Sequence, residues 1–214
     1  MEKKIPTPEL LQEYRELLNS ASTDADYEKA KAFEDEYETF AQIFEEDGKK
    51  GVKDIVGEII VPALFDEIAY TFTEAFSWFA IPVVNDGKYG MVKPDGSGEM
   101  LEECIYDNIV LDDWFYFLLK DGKQGLCTAA GKRIIPAEMD KVYHPFNDLV
   151  TFEKEGKEGY AMINTGIITE AVYDSSDILD DEYLSVTYNG QSGYIDADGQ
   201  FTTDEDEAFF NVQP

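Results

Sequence analysis

Apolar residues recur at two different periods along the chain, and the change falls near residue 40. Between residues 7 and 20, Leu10, Tyr14, Leu17 and Leu18 share one helical face. Thr7 stands where an N-cap would, with Pro8 at the first helical position and Glu9 in the first turn, so the spacing predicts a helix. Asn19-Ser20-Ala21-Ser22 interrupts it, and Thr23 or Asp24 can cap a second helix. Along that second helix Tyr27, Ala30, Phe33, Tyr37 and Phe40 recur at three- and four-residue intervals. Residues 1–39 are therefore expected to form a helical hairpin that caps the rest of the fold; a partner-docking amphipathic helix is the sharper alternative.

After residue 40 the period becomes two. A Gly-x-x-Gly pair occurs five times, at Gly48/Gly51, Gly87/Gly90, Gly122/Gly125, Gly156/Gly159 and Gly190/Gly193. The second glycines are 39, 35, 34 and 34 residues apart, a fixed period with one lengthened unit. Asp47, Asp86, Asp121, Glu155 or Asn189 precedes each pair, placing turn-forming residues at a two-residue hairpin. Phe44, Val83, Leu118, Phe152 and Val186 stand seven residues before the second glycine, and Gln42, Ile81, Tyr116, Val150 and Leu184 stand two earlier. Val52, Met91, Leu126, Tyr160 and Tyr194 follow that glycine, and all these positions share one strand face, with only Gln42 off-pattern.

Gly57, Gly96, Gly131, Gly166 and Gly199 mark a second turn, followed by short apolar runs such as Ile59-Ile-Val-Pro62 and Ile134-Ile-Pro136. Four units then end in Phe65-Asp66, Tyr106-Asp107, Met139-Asp140 and Tyr173-Asp174, whereas the fifth runs into Thr203-Asp-Glu-Asp-Glu207. The expected fold is mainly β with a helical N-terminus: five three-stranded β-repeats of about 34 residues over 40–208, in an open solenoid-like array, then a tail at 209–214. A closed, propeller-like barrel of five units is the alternative. One such unit cannot bury its own apolar face, so stacked neighbours must supply the core.

This pattern resembles the WG-repeat family, bacterial β-repeat proteins centred on Gly-Lys-Trp-Gly. The resemblance covers about residues 40–205 and is nearest from Gly122-Lys-Gln-Gly125 through Ile134-Ile-Pro136. The family's tryptophan would fall at Lys50, Tyr89, Gln124, Glu158 and Ser192, none of which is Trp. The resemblance implies a repetitive interaction scaffold and supplies no catalytic motif.

Composition narrows the chemistry. With 46 Asp and Glu against 17 Lys and Arg, the formal net charge is −29, which repels nucleic acid and anionic membranes. No Lys or Arg follows Lys157, and residues 158–214 hold thirteen acids. Two cysteines, Cys104 and Cys127, cannot make a disulfide scaffold or a four-thiolate zinc site, and read as buried free thiols. The single histidine, His144, falls in Tyr143-His-Pro145 and reads as a loop or packing residue. Asp196-Ala-Asp198-Gly199 with Glu205 partly imitates a calcium loop, but Tyr194 would hold its first position. Trp78, Trp114, Phe115 and Tyr116 could form a carbohydrate or peptide platform; core packing is the default, since Phe79 and Trp114 share a core-facing parity. No signal-peptide or membrane-spanning run is present in the sequence, and a cytoplasmic protein is expected.

These readings point to a non-catalytic protein-binding repeat scaffold, without cofactor or metal. Its partner would be another protein, of basic character, contacted through Asp177, Asp180, Asp181, Glu182, Asp204, Glu205, Asp206 and Glu207. An acidic inhibitor or immunity-type protein that neutralises a basic toxin or nuclease, and a carbohydrate-binding module, are the rival expectations. All ten glycines of the Gly-x-x-Gly pairs are expected to be structural, as turn residues with positive φ or as points of close backbone approach between layers, and their replacement would lower stability without a catalytic signature.

Overall fold

A computed structural model describes residues 3–20, 24–69, 80–112, 114–179 and 183–209. The chain is mainly β: among the described residues two α-helices precede five small antiparallel sheets, and none of these sheets closes into a barrel. It divides into two compact units, residues 1–109 with 129–131, and residues 110–128 with 132–214.

Helix α1 (Pro8–Ser20) begins where Thr7 Oγ1 accepts the Leu10 N–H at 3.3 Å. Helix α2 (Asp24–Glu36) stops before the apolar spacing does. Tyr37 instead forms a short parallel bridge with Lys4, whose N–H donates to Glu36 O at 2.9 Å and whose C=O accepts from Glu38 N–H at 2.7 Å. Tyr14 stacks on Phe33 with ring centroids 4.5 Å apart. Leu11, Tyr14 and Ala30 are buried with Ile55 and Val56 packed against them, so the helices sit on the far turn of the first sheet. There Arg15 Nη2 lies 2.9 Å from Asp54 Oδ2, and the other Asp54 oxygen accepts the N–H groups of Val56 and Glu58 at 3.0 and 2.8 Å. Both side chains are largely buried, and the hydrogen bonds offset the desolvation that a bare buried carboxylate would suffer.

The first sheet comprises β1 (Gln42–Glu46), β2 (Lys49–Lys53) and β3 (Ile59–Phe65). The second runs β4 (Glu67–Ile68), β5 (Ile81–Asn85), β6 (Lys88–Val92) and β7 (Met100–Tyr106). The third holds β8 (Asn108–Asp112), β9 (Phe115–Lys120), β10 (Lys123–Thr128) and β11 (Arg133–Met139). The fourth holds β12 (Lys141–Val142), β13 (Leu149–Lys154) and β14 (Lys157–Met162), with β14 also bridged at Ala161–Ile168 and Glu158–Tyr173. The fifth runs β15 (Ser175–Leu179), β16 (Tyr183–Tyr188), β17 (Gln191–Ile195) and β18 (Phe201–Thr202).

Three strands per unit is thus corrected: the second, third and fifth sheets have four. The apolar–Asp pairs are bends rather than endings. After Asp66, Asp107, Asp140 and Asp174 the chain continues directly into β4, β8, β12 and β15, each the leading strand of the next sheet. Among the described residues the first sheet has no such leading strand.

In all five central hairpins the two turn residues have positive φ, as a two-residue loop matched to strand twist requires: Asp47 and Gly48 at 52° and 77°, for example, and Glu155 and Gly156 at 55° and 76°. The turn role therefore holds for Gly48, Gly87, Gly122, Gly156 and Gly190, the first glycine of each pair.

The second glycine is not a turn residue and takes the other expected role. Gly51, Gly90, Gly125, Gly159 and Gly193 lie inside β2, β6, β10, β14 and β17, and none of them has positive φ. They answer a different constraint, the close approach of a neighbouring strand or ring. Opposite Gly51, Gly90 and Gly125 the outer strand bulges, so that Lys50 pairs with Phe65 while Val52 pairs with Val61. A Cβ on Gly125 would lie 2.6 Å from Ala137 N and 2.8 Å from Ile135 O. One on Gly159 would lie 2.6 Å from Phe152 Cε2. Gly193 is buried beneath the outer strand β18, where a Cβ would strike Thr202 O and stand 2.6 Å from Phe201 Cε2.

Burial alternates along β9, whereas β5 and β14 are each buried over four consecutive residues. Val83, Leu118, Phe152 and Val186 are buried, as are Ile81, Tyr116, Val150 and Leu184, while Gln42 is exposed. After the second glycine Val52, Met91, Leu126 and Tyr160 are buried, whereas Tyr194 is half-buried. One core joins Val52, Val61 and Phe65 of the first sheet to Ile81, Val83 and Val92 of the second. Another joins Leu126 and Ile135 of the third to Val150 and Phe152 of the fourth, and a further one joins Tyr160 of the fourth to Leu184 and Ile195 of the fifth. Each of these cores lies between consecutive sheets, since no single sheet has apolar surface on which to close alone.

The two glycine roles separate experimentally. Gly122, with φ of 76° and open space around its missing side chain, should lose about 1 kcal/mol as Gly122→Ala in chemical denaturation. Gly125→Val should lose about 2–3 kcal/mol, because the new side chain meets backbone that cannot yield. Glu155 occupies a conformation that suits Asn, and Glu155→Asn should raise stability by about 0.5–1 kcal/mol in the same assay.

Candidate functional site

The most regular polar construction in the molecule joins one sheet to the next. Asp66 Oδ1 lies 2.6 Å from Lys49 Nζ, the lysine after Gly48, while its Oδ2 accepts the Asp86 N–H of the following hairpin turn at 2.8 Å. The Asp66 N–H donates to Val84 O at 2.9 Å. Asp140 repeats the arrangement: it pairs with Lys123, accepts the Glu155 N–H at 2.7 Å and donates its own N–H to Glu153 O at 2.8 Å. Asp174 pairs with Lys157, accepts the Gly190 N–H at 3.3 Å and donates to Thr187 O at 2.8 Å. Asp107 holds Lys88 at 2.5 Å. The lysine of Gly-Lys-x-Gly and the terminal Asp are therefore two ends of one clasp. Their spacing of 17 residues in three units and 19 in the second was a legible signal that turn chemistry alone does not suggest.

The clasp shifts the carboxyls that form it. Lysine hydrogen bonds, followed by the turn N–H groups, hold Asp66, Asp140 and Asp174 below the usual carboxylate range. The residue between the lysine and the second glycine lies across from the residue before each Asp: Lys50 faces Phe65, Tyr89 faces Tyr106, Gln124 faces Met139 and Glu158 faces Tyr173. Apolar bulk is thus supplied from the outer strand.

The expected partner surface divides. Asp177, Asp204, Glu205, Asp206 and Glu207 are exposed, whereas Asp180, Asp181 and Glu182 lie outside the described residues. Asp204 caps a short 3-10 turn over Glu205–Glu207, its Oδ1 accepting the Asp206 N–H at 3.1 Å, and Thr202 Oγ1 donates to Glu207 Oε2 at 2.8 Å. These four acids are consequently presented on a fixed turn. Asp177 instead shares a cleft of about 350 Å³ with Tyr143, His144, Phe146, Glu158 and Ser176. Glu158 of that lining accepts at Oε2 from the buried Tyr160 hydroxyl at 3.1 Å, and burial pushes the Tyr160 hydroxyl well above its ordinary range. The cleft gathers residues from β13, β14, β15 and the loop after β12, too far apart in sequence to be read together.

Other candidates resolve individually. Asp196 Oδ1 accepts the N–H groups of Asp198 and Gln200 at 2.9 and 2.8 Å, so this oxygen serves its own turn. Among the described residues no group of three or more His, Cys, Asp or Glu is arranged to hold a metal ion. His144 sits 4.0 Å from Asp112 Oδ2 and packs edge-on to Phe115. Cys127 is buried; Cys104 is half-buried, and burial raises its thiol. Trp114 overturns its expected core placement: it is 59% exposed, because it lies in the turn before β9, where strand parity does not apply. Tyr116 is buried and Phe115 half-buried, while Trp78 and Phe79 lie outside the described residues. Among the described residues no helix is long and apolar enough to cross a membrane.

Neither a protein-family model nor a curated protein matches the sequence. Among solved structures, the chain is similar to Kluyveromyces lactis Hsv2 (complete loop 6CD) at 14% identity and a TM-score of 0.34, covering 70% of this chain and 55% of that one. It is also similar to a eukaryotic initiation factor at 10% identity and a TM-score of 0.28, covering 79% of this chain and 63% of that one. Both likenesses are too distant to bear on function.

The clasp carries a pH signature. A carboxyl whose folded pKa lies below its unfolded value contributes stability above the unfolded value, near pH 4, and loses it as pH falls through the folded value. Replacing Asp66, Asp140 and Asp174 together by Asn should therefore flatten the acid limb of a denaturation-versus-pH curve relative to the native chain. Superimposable acid limbs would refute the clasp.

Proposed function

We propose that the chain is a non-catalytic protein-binding scaffold of five serial units of about 34 residues, of the kind the WG-repeat resemblance implies. The observation that carries this reading is the clasp, which ties a hairpin turn to the sheet before it and so holds loops from successive sheets in fixed register. A surface of ordered turns is suited to contacting another protein, and the charge selects its sign. With a net charge of −29 and a capped acidic turn at Asp204–Glu207, the partner is basic and its approach is electrostatically steered. The same turn favours, as the second reading, an acidic inhibitor that covers the active surface of a basic toxin or nuclease.

Immobilised full-length protein should retain a basic protein from an extract of its source organism at low ionic strength and release it at about 0.5 M salt. Converting Asp204, Asp206 to Asn and Glu205, Glu207 to Gln should weaken retention. Retention indifferent to both salt and these substitutions, or an enzymatic turnover abolished by a single Asp or Glu substitution, would overturn the proposal.

A further inference from the structure

Among the described residues the first sheet lacks the leading strand that begins every other sheet, which leaves β1 at its edge. Its hairpin is closed by the pairs Glu46–Lys49 and Phe44–Gly51, which turn the backbone groups of Ile43 and Glu45 outward. Among the described residues nothing pairs with this edge, and Ile43 is 45% exposed.

The fourth sheet shows what such an edge accepts. Along β13, Phe152, Glu153 and the turn residue Glu155 occupy the same register relative to Gly159 that Phe44, Glu45 and Asp47 occupy relative to Gly51. The segment Met139-Asp140-Lys141-Val142-Tyr143 covers that edge. Asp140 N–H donates to Glu153 O at 2.8 Å, Tyr143 N–H donates to Thr151 O at 2.9 Å, and Asp140 Oδ2 accepts the Glu155 N–H at 2.7 Å. Lys141 stands directly opposite Glu153, and Val142 opposite Phe152. On the first sheet the matching acceptors are Glu45 O and Ile43 O, the matching donor is the Asp47 N–H, and the matching side chains are again Glu and Phe.

We propose that the β1 edge binds an extended segment of another protein, with the pattern apolar–Asp–basic–apolar, as an added antiparallel strand. The Asp of the incoming segment accepts the Asp47 N–H, its basic residue faces Glu45, and the following apolar side chain lies over Phe44. A second copy of this chain is a poor donor: its own Asp140-Lys141-Val142 is already engaged, and each chain has a net charge of −29. The inference rests on the scaffold reading and specifies one of its contact sites.

The test uses the full chain and a blocked synthetic peptide with the sequence of Ala137-Glu-Met-Asp-Lys-Val-Tyr-His144, followed by amide hydrogen exchange. Saturating peptide should slow exchange at Ile43, Glu45 and Asp47 by about tenfold or more, leaving Thr151, Glu153 and Glu155 unchanged. Asp140→Ala in the peptide should weaken binding by about tenfold, since it removes a charge-assisted hydrogen bond. Glu45→Lys in the protein should shift preference toward a peptide carrying Lys141→Glu. Unchanged exchange at β1 with millimolar peptide, protection at β13 instead, equal binding of the Asp140→Ala peptide, or self-association of the chain that protects the same amides would each overturn the inference. Salt-sensitive partner capture that survives such a failure leaves the scaffold reading intact; peptide binding without any capturable basic partner does the reverse.

Discussion

A carboxylate that accepts from a lysine on one side and a backbone turn on the other ties consecutive sheets together within each unit. Asp66, Asp140 and Asp174 each sit where the chain leaves one sheet and starts the next. An exposed ion pair by itself contributes little to stability. What matters here is geometry: the carboxylate spans the lysine of its own sheet and the hairpin turn of the next, while the Asp N–H joins the neighbouring strand. The bend, the leading strand and the turn are thereby set by one side chain. The apolar cores between consecutive sheets supply the driving force, and the clasps determine the register in which the sheets meet.

The glycines make that geometry possible in two distinct ways. The first of each pair takes positive φ in a two-residue turn, so the turn's N–H groups point toward the arriving aspartate. The second sits within a strand, where a neighbouring strand or ring approaches more closely than a side chain permits, from Gly51 in the first sheet to Gly193 in the fifth. In the first three sheets that neighbour is a bulge. It spends extra residues on the outer strand just before Phe65, Tyr106 or Met139, turning that apolar side chain inward and the next residue, Asp, toward the clasp. Turn, bulge and clasp are one mechanical unit there, and each would misplace the others if altered.

Function on such a frame is a matter of surfaces. The chain places a capped acidic turn on its fifth sheet, an aromatic and acidic cleft beside β13 and β15, and, among the described residues, an unpaired strand edge on its first sheet. Charge on Glu45 and Glu46 discourages indiscriminate pairing at that edge, as acidic residues do on many exposed strands. The same charges select for a basic residue in whatever strand is added. Steering by the whole molecule and discrimination at the edge therefore favour the same class of partner.

The helices, the five hairpins and the buried strand face were legible because each depends on local rules: a cap at Thr7, positive φ at Asp-Gly or Asn-Gly, and side chains alternating about a strand. The glycine spacing even placed the second turns, all with positive φ. Spacing placed the turn at Asn189-Gly190 but could not show what crowds Gly193, because that strand arrives from Phe201 and Thr202. Local rules could not reveal that Asp66, Asp107, Asp140 and Asp174 are bends feeding the next sheet, because a two-residue strand such as Glu67–Ile68 has no period of its own. Nor could they place Trp114, which parity put in the core and the turn before β9 put in solvent. The sequence alone determined where the chain must turn and which face must be buried. Only tertiary structure decided which sheet each leading strand joins and which edge is left uncovered, since those depend on hydrogen-bond partners supplied by residues far along the chain.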